Sequence, residues 1–391
     1  MTRHPRLQTF AFEMQAAQAR TLGAGLRPNP ELEVEVESVG GTGERTGFDA
    51  AETTIQLGQL IELGGKRDRR IRAASLAQEL AQWDYESARL DVLKEVTDAF
   101  VEVLAAQERL ALAEQLGELS RQAQSAVAQR VEAGKDAPVQ SLRAGVVLSQ
   151  SQIEIRKATS ALATARQELA ATWGAAEATF DAAAGDFDRV APAPALEEVN
   201  AALADNPDLA RWTVEQQQRR AALDLEKARA KVDITVTGGV QRYEESDDSA
   251  FIVGLAVPLP IFDRNQGGIT EATANLAKAQ QEYQAVQVEA FAALSEAVNR
   301  LASAYDEVGI LQREVVAQAE QAFEAAQQGY REGKFDYLHV LDTQRTLFET
   351  EAQHIDAVEA YHKARSEVER LIGQSLDALK RLDQKGQKGT E

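Results

Sequence analysis

The sequence predicts a mainly α-helical chain with a β-barrel portion. It reads as a tandem duplication in which each copy supplies one strand hairpin and a pair of long antiparallel helices, giving four strands per protomer. Three observations carry this expectation. The 391 residues are dominated by Ala, Glu, Gln and Leu with only 9 prolines, which favours long helices. Landmarks recur at an offset of about 200 residues. Short runs alternate apolar and polar residues at period two inside an otherwise helical pattern.

The repeat is read from paired landmarks. Gly134-Lys135 returns as Gly333-Lys334 and Trp173-Gly174 as Ile372-Gly373, both at an offset of 199, while His4-Pro5-Arg6-Leu7 matches Asn206-Pro207-Asp208-Leu209 at 202. The first repeat is placed at 1–190, with a strand hairpin over 31–61 and a helical hairpin over 68–173. The second is placed at 191–376, with a hairpin over 233–261 and a helical hairpin over 269–372. Residues 377–391 are expected to be a charged, disordered tail.

Each copy is expected to open with an Ala/Gln/Glu/Arg-rich helix, over 6–26 and 208–230. Alternation over Leu32–Glu37 and Ile234–Thr237 predicts first strands, and Thr53–Ile61 and Phe251–Leu259 predict second strands. The turns between them are Gly40-Gly41-Thr42-Gly43 and Glu244–Asp248. The long helices follow over 68–131 and 269–329. In the first of these, Leu93, Val96, Phe100, Val103 and Leu110 keep the spacing of a coiled-coil seam. Return helices are expected over 139–173 and 337–372. A descending helix of about 60 residues covers roughly 90 Å and a return helix of about 36 only some 54 Å, so each pre-hairpin helix is expected to stack on a return helix. The Gly/Pro/Asp-rich stretch 174–206 is expected to link the copies.

Four strands cannot close a barrel, and hydrocarbon does not tolerate an open sheet edge, because its N–H and C=O groups find no partner there. Closure is therefore expected from other copies, and three would supply 12 strands and 12 helix tracks. The alternative is two soluble ribbons on a coiled coil. Against it stands an apolar stripe at alternate positions along 253–261, with no helix left over to cover it.

Other function classes find little support. A net charge of −20 argues against nucleic-acid partners. There is no cysteine, and the four histidines (His4, His339, His354, His362) form no i,i+4 pair, so no metal site and no cofactor are expected. No nucleophile elbow, phosphate loop or zinc-protease motif is present, and no enzyme activity is expected. No stretch reaches the roughly 18 to 20 apolar residues of a spanning helix, and the chain opens Met1-Thr2-Arg3-His4-Pro5 without a signal peptide.

With these residues assembled, the chain resembles the TolC-like outer-membrane factors of tripartite efflux pumps over essentially its whole length. It looks most like the cobalt-zinc-cadmium branch at the strand-to-helix junctions Leu60–Arg67 and Pro258–Gly268. The resemblance implies a homotrimer with a 12-stranded barrel in outer-membrane lipid and a helical tube in the periplasm. It also implies a periplasmic adaptor protein and an inner-membrane RND pump as partners, with heavy-metal cations as cargo. A multidrug duct of the same fold is the rival within the class, and a soluble coiled-coil scaffold the rival outside it. Members usually open with a leader, often with a lipid-attachment cysteine, and neither is seen here.

The helix-turn-helix tips are the first candidate sites. Arg130, Val131, Gly134 and Lys135, with the stretch running on to Asp136, and Tyr330, Arg331, Gly333 and Lys334 form either an adaptor-docking surface or plain helix ends. A second set, by the same resemblance, is the periplasmic entrance: Asp342, His339, Tyr330 and Asp336. Asp342 matches the second aspartate of the TolC gate and His339 stands in place of the first. A threefold acidic ring would concentrate cations there, and His339 would add a pH-dependent charge. The plainer alternatives are that Asp342 is one of 62 acidic residues on wet faces, His339 a turn residue and Tyr330 a buried aromatic.

Overall fold

A computed structural model describes residues 4–204 and 206–379. Its elements run α1 (Pro5–Ala24), β1 (Glu31–Glu37), β2 (Glu52–Ile61), α2 (Lys66–Glu132), α3 (Pro138–Ala171), α4 (Leu196–Leu203), α5 (Pro207–Arg229), β3 (Ile234–Tyr243), β4 (Asp248–Ala256), α6 (Gln266–Ile310), α7 (Ala317–Arg331) and α8 (Tyr337–Ile372). A π turn, Leu311–Val316, joins α6 to α7. The expected order of helix, hairpin, long helix and return helix thus occurs twice.

The described chain divides into two compact units that cut across this order: residues 10–85 with 208–286, and residues 1–9, 86–207 and 287–391. The first unit contains one four-stranded antiparallel sheet, ordered β1-β2-β3-β4. The two expected hairpins are not separate ribbons. β2 pairs with β3 along its whole length, from Glu52 opposite Tyr243 to Ile61 opposite Ile234. β3 runs through Gly238-Gly239 and beyond the expected Thr237, and β4 stops at Ala256 rather than Leu259, where Pro258 and Pro260 have no N–H to donate.

Register puts Leu32, Val34 and Val36 on the same face as Ile55, Leu57, Val236, Val240, Phe251, Val253 and Leu255. That face is solvent-exposed, Phe251 at 91% and Val253 at 84%. The opposite face carries Glu31, Glu33, Glu35, Glu37, Glu52, Thr54, Gln56, Thr235, Thr237 and Gln241. Below the sheet, Leu76 and Leu80 of α2 pack on Val214 and Ala221 of α5, and Arg211 bonds Asp84 at 2.6 Å. The junction Leu60–Arg67 is pinned by Asp233, which accepts from the Leu63 amide (2.9 Å) and pairs with the Lys66 ammonium (2.7 Å). Arg70 grips Glu62 and the carbonyls of Ala24 and Leu26, and its hydrogen bonds hold the Glu62 carboxyl below the usual range.

The second unit is helical. The predicted seam is buried at Val103, which packs with Ala106 against Leu162, Ala165 and Leu169 of α3, whereas Leu93 is exposed. Gly174 ends the first return helix at φ +81° beside Pro5, and Gly373 ends the second at φ +72° beside Pro207. The left-handed turn needs glycine, and a proline at the start of the next helix loses no hydrogen bond there. Asn206 donates to the carbonyls of Arg370 and Leu371, closing the second junction.

The linker 174–206 is not wholly irregular: it contains α4, whose Val199, Ala202 and Leu203 are buried. It is also fastened down. The Tyr361 hydroxyl both donates to the Ala191 carbonyl and accepts from its amide, Gln107 brackets Ala183, and His362 donates to the Phe187 carbonyl. Of the expected tail 377–391, residues 377–379 are helical and Asp377 pairs with Arg365 at 2.9 Å; the remainder lies outside the described residues.

Candidate functional site at the helical tips

Both tips are built alike. Gly134 (φ +70°) and Gly333 (φ +74°) end α2 and α7. Lys135 N donates to Arg130 O (2.9 Å) and Lys334 N to Gly329 O (2.8 Å), six-to-one bonds of a Schellman turn. Asp336 then caps α8 by accepting from the His339 amide. Capping thus explains the glycines.

What capping does not explain is the contact between the tips. Asp136, just past the first tip, accepts from the Arg130 Nε (2.9 Å) and from the Tyr330 hydroxyl (2.6 Å), while the Arg130 guanidinium lies 4.6 Å over the Tyr330 ring. Tyr330 is buried and packs on buried Tyr337 at 5.7 Å between centroids. The hydrogen bond from Arg130 holds the Asp136 carboxyl below its ordinary pKa, and burial pushes the Tyr330 phenol far up, so it remains a donor. Arg130, Asp136 and Tyr330 form a charge-assisted latch between the two helical hairpins. Behind it Val127, Ala144, Phe323 and Leu347 form a shared core, and beside it a groove of about 370 Å³ reaches buried Gln344, whose amide nitrogen has no partner among the described residues.

The other predicted residues sit apart from this latch. Val131 is half-buried against the core, and Lys135, Arg331 and Lys334 are exposed, Lys334 pairing with Glu332. His339 Nδ1 lies 2.8 Å from Asp336 Oδ1, and its ring stacks on Phe335, which fills a slot left open by Gly329. Asp342 is exposed and its carboxylate pairs with Arg345 at 3.3 Å. Of the expected entrance set, Tyr330 alone joins the latch. The sequence names Asp136 only as the end of the first tip stretch and does not single out Tyr337. An Asp directly after the Gly-Lys is a signal for the first, but its partner lies across the repeat.

The fold agrees with what is similar to the chain. The family model described as outer membrane efflux protein matches residues 1–175 and 199–374. The chain belongs to the outer membrane efflux protein family. As a member it is an outer-membrane protein of a Gram-negative bacterium. It is 36% identical over 367 residues to the cobalt-zinc-cadmium resistance protein CzcC of Cupriavidus metallidurans, covering 94% of this chain and 86% of that one. It is 29% identical to the nickel-cobalt-cadmium resistance protein NccC of Alcaligenes xylosoxydans xylosoxydans, covering 76% and 67%. Among solved structures, a CusC described as forming a transmembrane channel superposes with TM-score 0.81 at 19% identity, over 96% of this chain and 90% of that one. The outer membrane protein VceC of Vibrio cholerae does so at 0.78 and 18%, over 95% and 93%. The likeness to these solved structures is one of fold.

Proposed function

We propose that the chain is the outer-membrane exit duct of a tripartite, RND-type efflux system and that its cargo is heavy-metal cations. The observation that carries the duct is the two-faced sheet. One face is apolar and exposed, the other lined with glutamates and amides, and the outer edges of β1 and β4 have no strand partner among the described residues. In water such a face and such edges invite aggregation. In a bilayer both are resolved if β1 of one copy pairs with β4 of the next, turning the apolar face to lipid and the polar face to a lumen. Three copies give 12 strands.

The metal cargo is supported by the resistance proteins that the chain is similar to and by the carboxylates of β1 on the lumen face, which favour cations. In this reading the latch holds the periplasmic end shut, Asp342 and His339 border the entrance, and the exposed Lys135, Arg331 and Lys334 meet the adaptor, with the pump beyond it. A pyoverdine export protein is also similar, at 26% identity, which makes organic cargo the rival. Growth of a deletion strain on zinc, cadmium, cobalt and copper salts against a drug panel separates the two. Lost metal tolerance supports the reading, and unchanged metal tolerance with lost drug tolerance replaces it.

A further inference from the structure

The second helical hairpin contains a device that the first lacks. α2 runs unbroken to its tip, whereas the matching track is interrupted by the π turn Leu311–Val316. A π turn packs less well than α-helix and bends more readily. α7, beyond it, carries the latch residue Tyr330 in its last turn, 14 residues past Val316, or about 21 Å at 1.5 Å per residue. A bend of about 10° at the turn would carry Tyr330 about 4 Å, farther than its bond to Asp136 can stretch.

Glu351 of α8 buries its Oε2 with no hydrogen-bond partner among the described residues, and the charge facing it belongs to Glu320, in the first turn of α7. Among the described residues no cation offsets this pair. On α8, His354 stands one turn on, with its own Nε2 buried and without a described partner. In the π turn, Arg313 is held by the Gly309 carbonyl and Glu314 is exposed. Toward α2 and α3, Arg109 is bound to Asp356 and Glu359, Lys363 of α8 pairs with Glu359 and Glu102, and Lys157 pairs with Glu154.

We propose that α7 is a lever pivoting on the π turn and that the Glu320–Glu351 pair sets its position. With Glu351 protonated, α7 lies against α8 and the latch is made; with both carboxylates charged, α7 is pushed off α8 and Tyr330 leaves Asp136. This rests on the gate role assigned to the latch above. Burial and Glu320 both raise the Glu351 pKa, so the closed form is favoured at acid pH and lost as pH rises through that raised value. Asp136 shifts the other way, so the latch itself stays charged and paired across the same range.

Hydrogen exchange of the detergent-solubilised full chain tests this without relying on conduction. After correction for intrinsic rates, amides of α7 should exchange at least about fivefold faster at pH 7.5 than at pH 5.0. Glu351→Gln should make them slow at both values, and Glu320→Gln, an exposed change, should shrink the difference. Deleting Gln312, which lets the turn close to α-helix, should also leave them slow. No pH difference in the unaltered chain, or a difference that survives Glu351→Gln, overturns the lever. Conductance across planar bilayers separates the two readings: the expected exchange pattern with no conductance at any pH would defeat the duct and leave the lever standing.

Discussion

Asp136 collects a guanidinium and a phenol on one carboxylate, and a single residue therefore decides whether the two tips stay joined. Asp136→Asn keeps the shape but removes the charge that both donors address, at a cost of about 1–3 kcal/mol. The expected outcome is a leaky duct, read as raised sensitivity of the host to bulky antibiotics that do not otherwise cross the outer membrane. Because the Asp136 pKa is depressed, the stability of the bond is present above the ordinary carboxylate value and lost only as pH falls through the lower folded one. The latch distance, followed by spin labels at the exposed Lys135 and Lys334, should in an otherwise unaltered Glu351→Gln protein be the same at pH 7 and pH 5. At the junctions, Gly174→Ala places a Cβ 3.2 Å from the Pro5 ring at φ +81°. It is expected to cost about 1 kcal/mol or more and to lower the melting temperature measurably. The residues legible in the sequence were those whose role is local. Gly134 and Gly333 announce a turn by themselves, whereas Asp136 acquires its meaning from Tyr330, 194 positions away.

At the scale of elements, the period-two runs and the long Ala-rich stretches were enough to find the strands and helices, because each alternation or repeat is a property of one segment. Three features escaped for physical reasons. β3 passes through Gly238-Gly239, which carry no side chain to continue the alternation. The eight residues of α4 sit among prolines, and their helical form depends on burying Val199 and Leu203. The π turn differs from α-helix only in hydrogen-bond register, which Leu311–Val316 does not display as a pattern. The pairing of β2 with β3, which makes one sheet of two hairpins, is likewise a long-range event. That sheet gives a contrast between its faces. Val253→Lys, on the apolar face, is expected to cost about 2–4 kcal/mol near the bilayer midplane and to remove the protein from the membrane fraction. Glu35→Lys, on the opposite face, should leave membrane recovery unchanged and reduce metal tolerance.

At the scale of the whole molecule, the described chain does not complete its own sheet. The hairpins do pair within the chain, yet the sheet still ends in two bare edges and presents an apolar face that no described helix covers. Membership of the outer membrane efflux family agrees with that incompleteness, which the proposed duct would resolve with lipid and further copies of the chain. Cryo-electron microscopy of the detergent-solubilised particle tests this most directly. The expected result is a threefold particle with a closed 12-stranded barrel in which β1 of each copy is hydrogen-bonded to β4 of the next. A water-soluble monomer whose β1 and β4 edges are covered by its own helices would contradict it.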